Sequence, residues 1–382
     1  RSCASSSWCT TAGDYRDRQV RRGDSVLETV VRRRFLIALA ILSAAHLYIW
    51  WRIALPLPAP YWQLGSVVIA LLFPSFPLTL RIARNRTRDA ARPWLLVGYV
   101  WFGFATYLLL GAIGAHVAVA FGIDPRAAAL WAGALAIGVV VAGLIQVARG
   151  PLVRRVQVPL AKLEAPYTIV QLTDVHIGQI IGREFAEQMV RRVNALKPDA
   201  IVITGDLVDG KLSELRPHIE PLRNLRAKDG VYAVTGNHEY YWDPEPWLAH
   251  LRSLGLRILR NEHVRLSHAV TLAGADDSSA AEDVPRAVAG ADPALPLVLL
   301  AHHPRTITKA IAAGVDLQLS GHTHGGQLLP WGYLARLFDP KVAGLARYGS
   351  TYLYVSQGTG FWGPPLRVGT SCEISAITLV PA

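Results

Sequence analysis

Four long apolar runs stand close together in the first 150 residues. Phe35 to Trp51 lies between Arg32-Arg33-Arg34 and Arg52, and Tyr61 to Leu80 stops at Arg81. Trp94 to Phe121 follows, and Ala127 to Val147 stops just before Arg149. Each is near the ~20 residues that cross a hydrocarbon core ~30 Å thick. Tyr48, Trp50, Trp51, Tyr61, Trp62 and Trp94 collect near the ends of the runs, as aromatic side chains do at a membrane–water interface. Pro74 and Pro77 predict a bend in the second run, which spanning helices tolerate. The pattern predicts four transmembrane helices, at about 35–51, 61–80, 94–121 and 127–147, within a region covering 26–150. A signal peptide accounts for one such run, not four. His46 and His116 fall inside the runs and are read as helix contacts rather than a transport path.

Past a Pro-punctuated linker over 151–166 the pattern changes to short apolar runs separated by helical spacing. Tyr167 to Thr173, Ala200 to Thr204, Val231 to Thr235, Leu297 to Ala301 and Val315 to Leu319 read as buried strands. Phe185 to Leu196 reads as a helix between the first two, and a polar helix is expected around Lys211 to Arg226. Each strand breaks into a loop bearing Asp, Asn or His: Asp174-Val175-His176, Gly205-Asp206, Gly236-Asn237-His238-Glu239, His302-His303-Pro304 and Gly321-His322-Thr323-His324. Strands alternating with helices predict an α/β domain over 167–382, and ligands in such sheets bind beyond the carboxyl ends of the strands. A Gly-Asp after a strand is often only a turn and a lone His often structural. Five such endings in succession point to one convergent site.

Composition and charge narrow the partners. The chain has 382 residues, 51% of them apolar, and a net charge of +11. Residues 1–150 hold 16 Lys+Arg against 6 Asp+Glu; residues 151–382 hold 23 against 22. The basic excess therefore flanks the apolar runs and speaks of membrane topology, not of a nucleic-acid face. Arginines crowd the segment before the first run, the loop between the second and third, and the segment after the fourth; Arg52 and Arg126 stand alone in the other two loops. That alternation predicts an integral membrane protein of the cell membrane, with the N-terminus and the C-terminal domain on the cytoplasmic side. Residues 1–25, Ser/Thr/Arg-rich and aperiodic, read as a disordered or non-native N-terminal segment. Cys3, Cys9 and Cys372 make neither a disulfide framework nor a thiolate zinc site.

The candidate ligands are oxygen and imidazole without thiolate, which suits Mn, Fe, Zn or Co. Seven of them exceed the needs of one ion, whereas a pair of ions sharing a carboxylate uses them economically. The ordered blocks DVH, GDLVD, GNHE, AHHP and GHTHGG resemble the calcineurin-like metallophosphoesterases over roughly 167–382. The tail, with Leu353 to Gly358 and Pro364-Pro365-Leu366-Arg367, is similar to a branch of membrane-associated members related to UDP-2,3-diacylglucosamine pyrophosphatases.

The resemblance implies a pair of β-sheets flanked by helices. It implies that Asp174, His176 and His324 hold one ion and Asn237, His302 and His322 the other, with Asp206 bridging. His302 is preferred to His303 because it directly follows the strand. His238 becomes the acid that protonates the leaving oxygen, a metal-bridging hydroxide the nucleophile, and Asp209 and Glu239 groups that orient histidine side chains. The expected activity is hydrolysis of a phosphodiester or pyrophosphate, with a lipid-linked substrate such as UDP-2,3-diacylglucosamine and with membrane lipids as surroundings. The alternatives are a phosphoesterase for soluble diesters or nucleotides, and a membrane sensor or transporter whose domain only binds metal. No nucleic-acid partner is expected, since nucleases present a basic groove. Trp331 to Phe338 and Phe361-Trp362 are aromatic loops placed to meet a bilayer surface or an acyl chain.

Overall fold

A computed structural model describes residues 33–267 and 270–382. The segment 1–25, with Cys3 and Cys9, and His268 lie outside the described residues. Among the described residues, four helices are long and apolar enough to cross a membrane: α1 (Arg33–Ala54), a second over Tyr61–Thr79, α4 (Arg88–Ala120) and α5 (Pro125–Ala148). The second breaks at Phe73-Pro74 into α2 (Tyr61–Leu72) and α3 (Ser75–Asn85), the bend that the prolines predict. α4 begins six residues before its apolar run. Its polar first turn escapes a hydropathy reading but has a partner, because Arg88 Nε donates to Gly178 O at 2.9 Å.

By internal contacts the described chain forms two units, residues 33–73 with 108–133 and residues 74–107 with 134–382. In the first unit His116 Nδ1 lies 2.9 Å from Tyr48 Oη and 3.2 Å from Arg52 Nε, and His46 Nδ1 meets Leu42 O at 2.8 Å. Both histidines make helix contacts, as read from the sequence.

The second unit holds two six-stranded sheets. The first is built from β1 (Leu152–Leu160), β2 (Tyr167–Leu172), β4 (Ala200–Thr204), β6 (Val231–Val234), β7 (Leu256–Ile258) and β14 (Glu373–Pro381), in the order β1-β14-β2-β4-β6-β7. Only the β14–β2 pairing is antiparallel. The second contains β8 (Glu262–Arg265), β9 (Thr271–Gly274), β10 (Leu297–Leu300), β11 (Leu317–Ser320), β12 (Gly344–Tyr348) and β13 (Thr351–Val355), in the order β12-β13-β11-β10-β9-β8. Its two edge pairings are antiparallel and the rest parallel. A short ladder joins β3 (Ile177–Gly178) and β5 (Val208–Asp209).

Alternation along the strands explains the layering. Ile169, Ala200 and Val202 pack with Leu272, Val298, Leu317 and Leu319 in a core between the sheets. Val170, Ile201 and Ile203 point the other way, onto α6 (Arg183–Ala195), α7 (Leu212–Ile219) and α9 (Pro244–Ser253). The short α8 (Asn237–Tyr241) opens directly from the β6 loop. The outer face of the second sheet is covered by α10 (Val284–Val288) and α11 (Ile307–Ala312), while α12 (Trp331–Ala335) lies in the loop before β12. The unit is thus helix, sheet, sheet, helix. All the parallel strands that precede the candidate ligands end at one edge.

The stretch 151–166, expected as a linker, contains β1, paired in parallel with β14 over nine residues. Its charges hide it: Arg154 and Arg155 are exposed, as suits an edge strand that must not recruit further strands.

Candidate metal centre

The loops after β2, β4, β6, β10 and β11 bring the residues singled out in the sequence to one place. Asp174, His176, Asp206, His322 and His324 all have φ between 50° and 70°. Asp, Asn and His enter this left-handed region most readily among non-glycine residues, at a cost on the order of 1 kcal/mol or more each. The sharp turns let a ligand leave each strand and face back over the sheet edge. Close approach of the β4 and β6 loops also requires Gly236, where an added Cβ would fall 2.2 Å from Asp206 Oδ1.

Asp206 sits at the centre. Its Oδ2 lies 3.3 Å from His302 Nε2, 3.8 Å from His176 Nε2 and 3.9 Å from His238 Nε2. Its Oδ1 accepts from the His238 backbone N–H at 2.9 Å. On one side, Asp174, His176 and His324 place ligand atoms within 4.8 Å of one another, and the Nε2 atoms of His176 and His324 face each other at 3.0 Å. On the other side, His302 Nε2 lies 3.3 Å from His322 Nδ1, and His302 Nδ1 contacts Thr204 O at 2.8 Å. That carbonyl fixes a proton on Nδ1 and turns Nε2 toward Asp206 and His322.

The electrostatics suit cations. Burial lowers His176 to about 4 and His322 to about 3, and holds His324 well below its usual range, so all three offer lone pairs at neutral pH. Burial raises Asp174 to about 6. Burial would also raise Asp206, but His302 outweighs it and holds that carboxylate ionised; in return Asp206 lifts His302, against burial, to about 10. Asn237 donates from Nδ2 to Tyr241 Oη at 3.1 Å, while its buried Oδ1 has no partner among the described residues. An orphaned amide oxygen, clustered imidazoles and buried carboxylates together form a donor set that fits divalent metal ions.

The supporting residues partly follow expectation. Asp209 does orient a histidine: its Oδ1 lies 3.2 Å from His238 Nδ1 and accepts from Trp242 Nε1 at 2.9 Å. Glu239 does not. Its carboxylate accepts from the backbone N–H groups of Asp206, Leu207, Val208 and Gly236 at 2.7–3.2 Å, so it shapes the ligand-bearing loop itself. His303 pairs with Asp277 Oδ2 at 3.2 Å and also places a ring nitrogen within 4.8 Å of those of His302 and His322. His218, His250 and His263 keep to other partners.

Three contributors escaped the sequence reading of the site. Asp277 and Asp276, after β9, bind His303 in the one case and Thr235, Tyr240 and Arg260 in the other. Arg367, 2% exposed, donates to His324 O and Gly360 O and approaches His324 Nδ1 at 3.2 Å. An arginine inside an otherwise apolar run was the available signal for it.

Two sheets that deliver Asp, Asn and His from their strand ends into one buried cluster define a metallophosphoesterase. The family model described as calcineurin-like phosphoesterase matches residues 167–326. A Bos taurus protein described as a transmembrane protein with metallophosphoesterase domain is 41% identical over 266 residues, which are 63% of this chain and 60% of that protein. An Aquifex aeolicus metallophosphoesterase is 37% identical over 220 residues, covering 55% of this chain and 84% of the relative. The chain belongs to the calcineurin-like phosphoesterases. It spans about 60% of the length of the bovine relative. Among solved structures, a 5'-nucleotidase precursor from Thermus thermophilus aligns with a TM-score of 0.37 at 15% identity, over 56% of this chain and 54% of the other.

Proposed function

We propose that the protein is a membrane-associated hydrolase of a phosphodiester or pyrophosphate that uses two divalent ions, from among Mn, Fe, Zn and Co. The observation that carries this reading is the meeting of three imidazole Nε2 atoms on Asp206 Oδ2. In this reading Asp174, His176 and His324 would hold one ion and Asn237, His302 and His322 the other, with Asp206 within reach of both sets. When bound, such a pair lowers the pKa of a water and neutralises charge on the phosphoryl oxygens.

His238 supplies the acid. Burial would lower it, but the Asp209 hydrogen bond and the charges of Asp206 and Asp209 raise it above its usual value, which favours the protonated form an acid needs. Asp209 engages Nδ1, leaving Nε2 on the side of the other ligands. Hydrolysis forms a bond from the water oxygen to phosphorus and breaks the bond from phosphorus to the leaving oxygen. The leaving oxygen takes the His238 proton, and the water's own proton passes to solvent.

A lipid-linked pyrophosphate such as UDP-2,3-diacylglucosamine is the substrate this reading favours, supported by the apolar helices and the aromatic loops beside the site. The arginine-rich loops favour a cytoplasmic catalytic domain. The test is hydrolysis of a bis-aryl phosphodiester by the purified full chain with Mn. Turnover is expected in the wild type and background rates in Asp206→Asn and His238→Ala; full activity in both variants refutes the mechanism.

A further inference from the structure

Beside the metal centre, within the second unit, opens a cavity of about 650 Å³. His176, His238 and Asp209 line its inner end. Ile180, Phe361 and Trp362 form one wall, and Leu95 and Tyr99 of α4 form another. Arg86 and Lys211 stand among the lining residues as cations.

The α4 wall is built in, not brushed against. Arg88 Nε donates to Gly178 O at 2.9 Å, and Leu95 is 1% exposed. The Tyr99 ring lies 3.8 Å from where a Cβ on Gly363 would stand, and a Cβ on Gly103 would fall 2.2 Å from Leu366 Cδ1. Tyr107 Oη donates to Leu329 O at 2.9 Å. These positions follow one another by seven, four, four and four residues, a single stripe along the helix. The stripe runs for roughly 29 Å at 1.5 Å per residue. A tether needs contact at one end only. α5 adds to the seat: Arg367 N donates to Gly143 O at 3.3 Å, and a Cβ on Gly143 would lie 3.0 Å from Val368 Cγ2. The loop held this way carries both Trp362, in the cavity wall, and Arg367, on His324.

We propose that the first half of α4 is a wall of the substrate site, and that the site takes a lipid phosphoester with its phosphate at the metal centre and its apolar chain between Leu95, Tyr99 and Trp362. This rests on the phosphoesterase reading above and adds to it the surface that selects the chain. Phosphate alone needs only the inner end. The apolar space beyond it, bounded by a helix that is itself long and apolar enough to cross a membrane, matches a molecule drawn from the bilayer. Arg86 and Lys211 suit a second anionic group on the head.

The test uses the Mn-loaded full chain in detergent and two non-hydrolysable probes, ethyl and octyl phosphonate, with affinity read by calorimetry. Each buried methylene strengthens binding about fourfold, so octyl phosphonate is expected to bind at least about tenfold tighter than ethyl. Leu95→Trp, which fills the space, and Trp362→Ala, which removes the opposite wall at a 55% exposed residue, are each expected to cut that ratio by at least about threefold. Val97→Trp, on an exposed face of α4, is expected to keep it. A wild-type ratio near one, or a ratio unmoved in both wall variants, overturns the proposal. If that happens while the bis-aryl diester is still hydrolysed, the α4 assignment alone falls. If neither probe binds and no diester is cleaved, the phosphoesterase reading falls with it.

Discussion

The two sheets contribute different chemistry to the centre they share. The first supplies all the oxygen donors, Asp174, Asp206 and Asn237, together with His176 and His238; the second supplies only imidazoles, His302, His322 and His324. Negative charge therefore enters from one side and is answered from the other. Asp206 and His302 mark the seam, each shifting the other toward its charged form across 3.3 Å. The lesson is that neither sheet holds a complete site. The packing of Ile169 and Val202 with Leu272 and Val298 is what holds the two sets of candidate ligands side by side.

Breaking the seam has the largest expected effect. Asp206→Asn removes the carboxylate that meets His176 and His238 of the first sheet and His302 of the second. Metal content measured by mass spectrometry is expected to fall by roughly half or more, and turnover by at least about 10³-fold. His322→Ala, which removes a nitrogen from the second sheet alone, is expected to lose less metal. Equal losses would mean that the two sides are not distinct.

A smaller effect tests the oxygen side by itself. Glu239→Gln replaces an acceptor-only group that satisfies four backbone N–H groups with an amide that must turn a donor toward some of them. A loss of about 2–3 kcal/mol is expected in denaturant unfolding, since hydrogen bonds to charged groups contribute about that much. A stability unchanged from wild type would show that Glu239 does not shape the Asp206 loop.

The smallest effect concerns a second seam away from the ligands. Asp276, just after β9, accepts from Thr235 of the β6 loop, from Tyr240 of α8 and from Arg260. Burial would raise its carboxyl, but these donors hold it below the usual range. A carboxylate depressed in the fold stabilises above its unfolded pKa, near 3.9, and that contribution is lost as pH falls through the folded value. Thermal stability of the wild type is thus expected to drop below about pH 4 more steeply than that of Asp276→Asn. Parallel curves would remove Asp276 from the account.

What the sequence makes legible follows from distance along the chain. The apolar runs of α1, α2, α4 and α5 and the five strand-end blocks are local patterns, so the helices and candidate ligands can be read directly. β1 is not, because an exposed edge strand with Arg154 and Arg155 resembles a linker. Glu239 is adjacent to His238, which suggests a histidine partner; three of its four partners, Asp206 to Val208, lie about thirty residues away. Arg367 reaches His324 across 43 residues, and Asp277 reaches His303 across 26, and neither pairing leaves a local trace. The seating of α4 is the extreme case, with Tyr107 bonded to a carbonyl 222 residues later.

The left-handed backbone at Asp174, His176, Asp206, His322 and His324 has a bearing on how variants of this protein are interpreted. The amino acids that tolerate that conformation, Asp, Asn and His, are also the ones that coordination chemistry wants there. Alanine scanning confounds the two demands, because it deletes a donor and installs a residue that the backbone resists. Asparagine at the aspartates changes the charge while keeping the backbone preference. Valine or isoleucine would compound the problem, deleting the donor and resisting the turn more strongly still. At these five positions, genetic intolerance by itself is no evidence of metal chemistry until the asparagine and glycine variants have been set beside the alanine.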